Sequence, residues 1–206
     1  PSLTLAIGAQ AKALQRAGRD ICSLSAGEPD FDTPDFIVEA TRQALRDGIT
    51  RYGPAAGDPE LRAAVAEKLS SGNGIATSPE QVLITNGGKQ AIYNLFQVLL
   101  NPGDEVLLPA PYWLSYPEMA ALAGAEVKLI PSQAEEGFRL ELDALEAAIS
   151  PRSRLLVLNT PGNPTGRVMP RQELEAVAEL VRRHPQLLVM SDEIYEFLLA
   201  EGEQHH

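Results

Sequence analysis

Apolar residues between positions 35 and 70 recur at three- and four-residue steps. Ile37, Val38, Ala40, Ala44 and Leu45 form one such set, and the spacing predicts a helix over Ile37 to Arg46 with Thr33-Pro34 as its start signal. The run from Arg51 to Pro59 is rich in Gly and Pro and reads as loop, and helical spacing resumes from Glu60 to Leu69 through Leu61, Val65 and Leu69. Residues 71–79 read as another loop.

From Gln81 the pattern changes to short apolar runs alternating with helical stretches. Strands are predicted at Gln81 to Thr85, Asp104 to Pro109, Glu126 to Ile130, Ser153 to Asn159 and Leu187 to Ser191. Helices are predicted at Gln90 to Leu100, Tyr116 to Ala123, Glu141 to Ile149, Arg171 to Arg183 and Ile194 to Leu199. Strands separated by helices of this length build βαβ units on a mostly parallel sheet. Runs such as Leu155-Leu156-Val157-Leu158 are apolar throughout because helices cover both faces, so the expected class is α/β in three layers, helix, sheet, helix.

The chain of 206 residues is long enough for a substantial core, and 44% hydrophobic with 22% charged residues is an ordinary globular balance. The formal net charge of −11 has the wrong sign for gripping nucleic acid or an anionic membrane surface. One cysteine, Cys22, excludes an intrachain disulfide framework and a cysteine-based zinc site. The first residues lack the basic region of a secretory signal, and no apolar run approaches the roughly 20 residues a bilayer requires. The expected location is the cytoplasm.

In an open parallel sheet, ligands bind outside the carboxyl ends of the strands, so chemistry is sought there. After the first predicted strand, Asn86-Gly87-Gly88-Lys89 opens a helix and offers backbone N–H groups to an anion, or serves only as a tight turn. It is not a nucleotide-binding P-loop, which requires Gly where Leu83 stands and Ser or Thr where Gln90 stands. After the second strand, Tyr112, Trp113 and Tyr116 could stack on a ligand ring or wedge their loop onto the core. After the fourth, Pro161 and Pro164 frame Asn163, whose amide could bond a planar ligand or belong to an ordinary turn. After the fifth, Asp192 emerges from an apolar strand and needs either a cation or the start of a helix to cap. Phosphate cradle, aromatic plate, amide and carboxylate are together the inventory for a flat phosphorylated heteroaromatic cofactor.

The motifs Ser25 to Phe31, Arg51 to Gly57, Thr85 to Ala91, Pro111-Tyr-Trp113, Asn159 to Gly166 and Ser191 to Tyr195 stand in an order and spacing that resembles the fold-type I pyridoxal-phosphate-dependent aminotransferases of class I/II. The sequence looks most like the bacterial aspartate aminotransferase branch. The resemblance implies that pyridoxal 5′-phosphate is the cofactor and that Gly88 and Lys89 bind its phosphate through backbone N–H groups. It implies further that Trp113 stacks on the pyridine ring, that Asn163 and Tyr195 bond the ring oxygen, and that Asp192 pairs with the protonated ring nitrogen. Gly27, Trp113 and Asn163 would also face the substrate, and Tyr52 would reach the phosphate held by a neighbouring subunit, making a homodimer. The substrates implied are an amino acid, with aspartate preferred, and a 2-oxo acid such as 2-oxoglutarate.

Members of that family hold the cofactor on a lysine that follows the Asp-x-x-Tyr motif. Lys12, Lys68, Lys89 and Lys128 all precede Asp192. The chain is therefore read as the N-terminal half of such an enzyme and is expected to be inactive alone; a non-catalytic cofactor-binding or dimerisation module is the alternative. Residues 1–34 would belong with the small domain and residues 35–206 with the large domain, cut before its last strands. By the same resemblance, two later strands would lie between Gln81 to Thr85 and Leu187 to Ser191, leaving a gap in the sheet.

Overall fold

A computed structural model of the chain describes residues 3–23, 27 and 31–206. The chain divides into two compact units, one ending at Gly53 and one running from Pro54 to His206. The first contains helices α1 (Leu3–Arg16) and α2 (Asp35–Arg46). Helix α2 is amphipathic in sequence, yet none of its residues is buried within this unit, and Phe36 and Leu45 are exposed.

The second unit is the α/β layer structure. Helix α3 (Pro59–Gly72) starts where Asp58 accepts hydrogen bonds from the backbone N–H groups of Glu60 and Leu61, with Pro59 in the first turn where its missing N–H costs nothing. Then follow α4 (Gly88–Leu99), β1 (Glu105–Pro109), α5 (Ser115–Leu122), β2 (Glu126–Ile130), α6 (Leu142–Ala148), β3 (Ser153–Asn159), α7 (Arg171–Arg182) and β4 (Leu188–Asp192). The four strands are parallel in the order β2-β1-β3-β4, with Val106 opposite Val127 and Leu155, and Asn159 opposite Asp192.

Alternate strand residues point to opposite faces and so separate two cores. Val106 and Leu108 of β1 with Leu155 and Val157 of β3 pack with Ile92 and Phe96 of α4 and with Tyr116, Met119 and Ala120 of α5. Leu107, Leu156 and Leu158 pack instead with Leu145 of α6 and with Val177 and Leu180 of α7. That is the three-layer arrangement the apolar runs predict.

Two expectations are corrected. Gln81 to Thr85 forms no strand among the described residues. Its groups bond toward α3 and the loop before it, Ile84 N–H to the Ala56 carbonyl at 3.0 Å and Arg62 Nε to the Val82 carbonyl at 2.9 Å, while Leu83 stays exposed. An apolar run pairs only where a neighbouring strand offers a ladder, and none is adjacent here. Ile194 to Leu199 is a turn rather than a helix. Its bonds run three residues back, Glu196 to Glu193 and Leu198 to Tyr195, and Ile194, Phe197 and Leu198 are exposed. Six residues with no face to bury do not offset helix nucleation.

The close approach of Ile84 to the loop before α3 makes Gly57 irreplaceable. Gly57 has φ of +103°, and a Cβ there would lie 2.5 Å from the Ile84 side chain. Gly57→Ala is expected to lose about 2 kcal/mol or more of stability, read as a lower urea midpoint in the intact protein.

Candidate functional site

The turn before α4 exists because Gly87 takes φ of +80°, open to glycine and strained for other residues. Its backbone bonds engage the Gly87 N–H and carbonyl and the Gln90 and Ala91 N–H groups, leaving the amides of Gly88 and Lys89 uncommitted. A Cβ at Gly88 would meet nothing within 4 Å. Two free N–H groups at the positive end of a helix, in open space, fit a phosphate.

The loop after β1 begins with a cis Ala110-Pro111 bond and leads to Trp113 at the threshold of α5. The Lys89 ammonium lies over the Trp113 ring, 5.0 Å from its centroid, so the glycine turn and the aromatic loop meet. Trp113 in turn meets Tyr116 edge to face, with centroids 5.3 Å apart and planes at 86°.

Tyr116 is buried in the core, and its hydroxyl donates to Asp192 Oδ2 at 2.7 Å. Burial, then this hydrogen bond and the nearby charge of Asp192, push the phenol far above its ordinary range, with Tyr195 contributing. Tyr116 therefore remains a neutral O–H donor at all working pH values. Its role is absent from the sequence reading, which treats it as loop aromatic. The available signal was its position three residues after Trp113, where the chain turns into α5 and the Tyr116 N–H bonds the Trp113 carbonyl at 3.2 Å.

Asp192 is the last residue of β4, and its Oδ1 accepts weakly from the Ile194 N–H at 3.3 Å. It caps a turn, not a helix. The amide of Asn159 at the end of β3 bonds the Asp192 carbonyl, and it also bonds the Asn163 N–H in the loop that follows. Cis bonds precede Pro161 and Pro164 in that loop. Asn163 lines a cleft with Tyr112, Tyr116 and Asn159 between the loops after β1 and β3. Tyr195 is half-buried in the turn after Asp192. Contacts thus join Lys89, Trp113, Tyr116, Asp192, Asn159 and Asn163 into one set, while Gly88 stands next to it in sequence and Tyr195 nearby, without a direct contact to it among the described residues.

Gly27 and Tyr52 belong to the first unit. Tyr52 is fully exposed there, a Cβ on Gly27 would meet nothing within 4 Å, and most of the Ser25 to Phe31 motif lies outside the described residues.

Residues 19–205 match the aminotransferase class I and II family. The chain belongs to that family. Its members depend on pyridoxal phosphate, and the donor set above, with free amides, an aromatic plate and a hydrogen-bonded carboxylate, fits such a group. Over 203 residues this aminotransferase chain is 53% identical to the aspartate/prephenate aminotransferase of Thermus thermophilus, covering 98% of the chain and 52% of that protein. It is 52% identical over 205 residues to the bifunctional aspartate aminotransferase and glutamate/aspartate-prephenate aminotransferase of Petunia hybrida, with 100% and 43% covered. Among solved structures, the Thermus thermophilus aspartate aminotransferase with maleate superposes with a TM-score of 0.94 at 51% identity, covering all of this chain and 54% of that one. The aspartate aminotransferase from Rhizobium meliloti gives 0.93 at 39% identity, with 99% and 51% covered. The chain spans about half the length of the curated relatives it matches. Among the described residues no helix is long and apolar enough to cross a membrane.

Proposed function

We propose that the intact protein is a transaminase that moves an amino group from an acidic amino acid, with aspartate preferred, to a 2-oxo acid such as 2-oxoglutarate. The observation that carries this reading is the contact chain from Lys89 through Trp113 and Tyr116 to Asp192, which gathers an anion-binding turn, a ring plate and a fixed carboxylate at one end of a parallel sheet. The names of the Thermus and Petunia relatives support aspartate and leave prephenate as a further acceptor.

Pyridoxal phosphate, when bound, supplies an electron-withdrawing ring that lowers the barrier to removing the substrate's Cα proton. The Gly88 and Lys89 amides would hold its phosphate, Trp113 would cover one ring face, and Asn163 and Tyr195 would bond the ring oxygen. Asp192, supported by Tyr116, would hold a proton on the ring nitrogen. The Lys89 ammonium beside Trp113 adds a positive charge that suits dicarboxylic substrates. Gly27 would lie against the substrate carboxylate. The full exposure of Tyr52 supports its reaching the phosphate of a second copy in a homodimer, and the exposed free thiol of Cys22 suits a cytoplasmic setting.

Adding pyridoxal phosphate to the intact protein is expected to yield a bound absorbance that borohydride renders permanent, together with aspartate-dependent consumption of 2-oxoglutarate. Binding without any amino transfer would leave a cofactor-binding module, and absence of both would overturn the reading altogether.

A further inference from the structure

Asn159 stands in the strand-end motif but has no part in the cofactor contacts above. It is the last residue of β3 and lies directly opposite Asp192 in the sheet register. Its planar amide works in two directions. Nδ2 donates to the backbone carbonyl of Asp192 at 2.9 Å, and Oδ1 accepts from the backbone N–H of Asn163 at 2.8 Å. Because one partner can only accept and the other only donate, the two ends of the amide are assigned by chemistry.

The Asp192 carbonyl receives little else, since the Thr160 N–H reaches it only at 3.3 Å. The loop carrying Asn163 has other anchors that do not involve Asn159. Gly162 N–H bonds the Arg167 carbonyl at 2.9 Å, Met169 N–H bonds Thr160 Oγ1 at 2.9 Å, and Arg167 pairs with buried Glu173 on α7. Losing the Asn159 amide would thus free Asp192 and Asn163 from each other without releasing the loop.

We propose that Asn159 is a positioning residue that sets the distance and orientation between Asp192 and Asn163, so that the carboxylate and the amide meet two edges of one flat ring. The identity of that ring rests on the function proposed above. Asparagine is suited to the task because Asp lacks the donor, Ser offers a single short group, and Gln adds a methylene that displaces both contacts.

The test uses two variants of the intact protein and two readouts, the equilibrium constant for pyridoxal 5′-phosphate and hydrogen exchange over residues 159–166. Asn159→Ala removes both contacts and is expected to weaken cofactor binding about tenfold and to speed exchange at the Asn163 amide. Asn159→Asp has nearly the same shape, keeps the acceptor for Asn163 and loses the donor for Asp192. It is expected to keep the Asn163 amide protected while still weakening the cofactor, a split that a general loss of stability would not produce. Unchanged cofactor affinity in both variants, or equal loss of Asn163 protection in both, would overturn the proposal. If the unsubstituted protein binds no pyridoxal phosphate, the cofactor reading fails, and the exchange patterns alone decide whether Asn159 clamps its two partners. Should Asn159→Ala fail to fold, the near-isosteric Asn159→Asp carries the comparison.

Discussion

Asp192→Asn is expected to lower the amino-transfer rate of the intact protein by about 10²- to 10³-fold while leaving its fold in place. The substitution preserves shape and replaces a charge with a neutral amide. The Tyr116 hydroxyl, whose proton is held by burial and by the Asp192 contact, can still donate to the new side-chain oxygen, so packing at the end of β4 survives. What disappears is the negative charge that would keep a proton on the ring nitrogen. Tyr116→Phe tests the same pair from the other side. It removes one hydrogen bond to a charged group and leaves the carboxylate present, so a smaller loss of about tenfold is expected. Steady-state kcat for the two variants, with thermal melting as a check on folding, reads both effects. Full activity in Asp192→Asn would remove Asp192 from the ring-nitrogen role.

A large and pH-dependent stability effect is expected far from the site, at the opposite end of the sheet. Glu105 opens β1 with a wholly buried side chain, where a lone charge would be prohibitive. Ser150 and Ser153 donate to Oε2, Lys128 Nζ lies 2.9 Å from the same oxygen, and an Arg152 nitrogen lies 2.8 Å from Oε1 without hydrogen-bond alignment. Burial alone would raise the pKa of this carboxyl. The hydrogen bonds from Ser150, Lys128 and Ser153, with the Lys128 charge, outweigh burial and bring it from 4.5 to about 2.

The folded protein therefore binds this proton less readily than the unfolded chain. The stabilisation from Glu105 is complete above pH 4.5 and is lost as pH falls through about 2. Glu105→Gln keeps the size and gives up the charge facing Lys128 and Arg152. Because those side chains are 36% and 56% exposed, the loss falls short of that for a fully buried pair, at about 2 kcal/mol at pH 7. Urea midpoints of the two proteins should differ most at neutral pH and converge as the solution is acidified below pH 4.5. A gap independent of pH would show that the loss comes from packing rather than charge.

Most of this architecture is legible in the residue pattern. The bounds of β2 and β3 coincide with the apolar runs Glu126 to Ile130 and Ser153 to Asn159, and helices α5, α6 and α7 begin and end within one residue of the predicted positions. Such runs report a local property, namely which residues must leave water. The two runs that misled share a different feature. Gln81 to Thr85 and Ile194 to Leu199 have suitable composition but lack a partner element among the described residues: no strand lies beside the first, although its Val82 is buried, and Ile194, Phe197 and Leu198 of the second stay exposed.

The candidate site divides along the same line. Sequence alone determined the alternation of strands and helices from Glu105 onward, the placement of Trp113, Asn163 and Asp192 just beyond or at strand ends and of Gly88 and Lys89 at the start of a helix, and the kind of ligand those groups could hold. Only the tertiary structure decided which of them touch. Tyr116 looks like any loop aromatic until α5 packs it against the sheet and the parallel register carries Asp192 to its hydroxyl, 76 residues away along the chain. Glu105 looks like an exposed strand end until β2 and β3, flanking β1, bring Lys128 on one side and Ser153 on the other to its carboxylate. Asn159 looks like one more polar residue in a turn until it faces Asp192 across β3 and β4. Hydrophobic periodicity is set by neighbours in sequence, whereas a hydrogen bond or an ion pair depends on neighbours in space, and these exist only once the sheet has brought distant segments together.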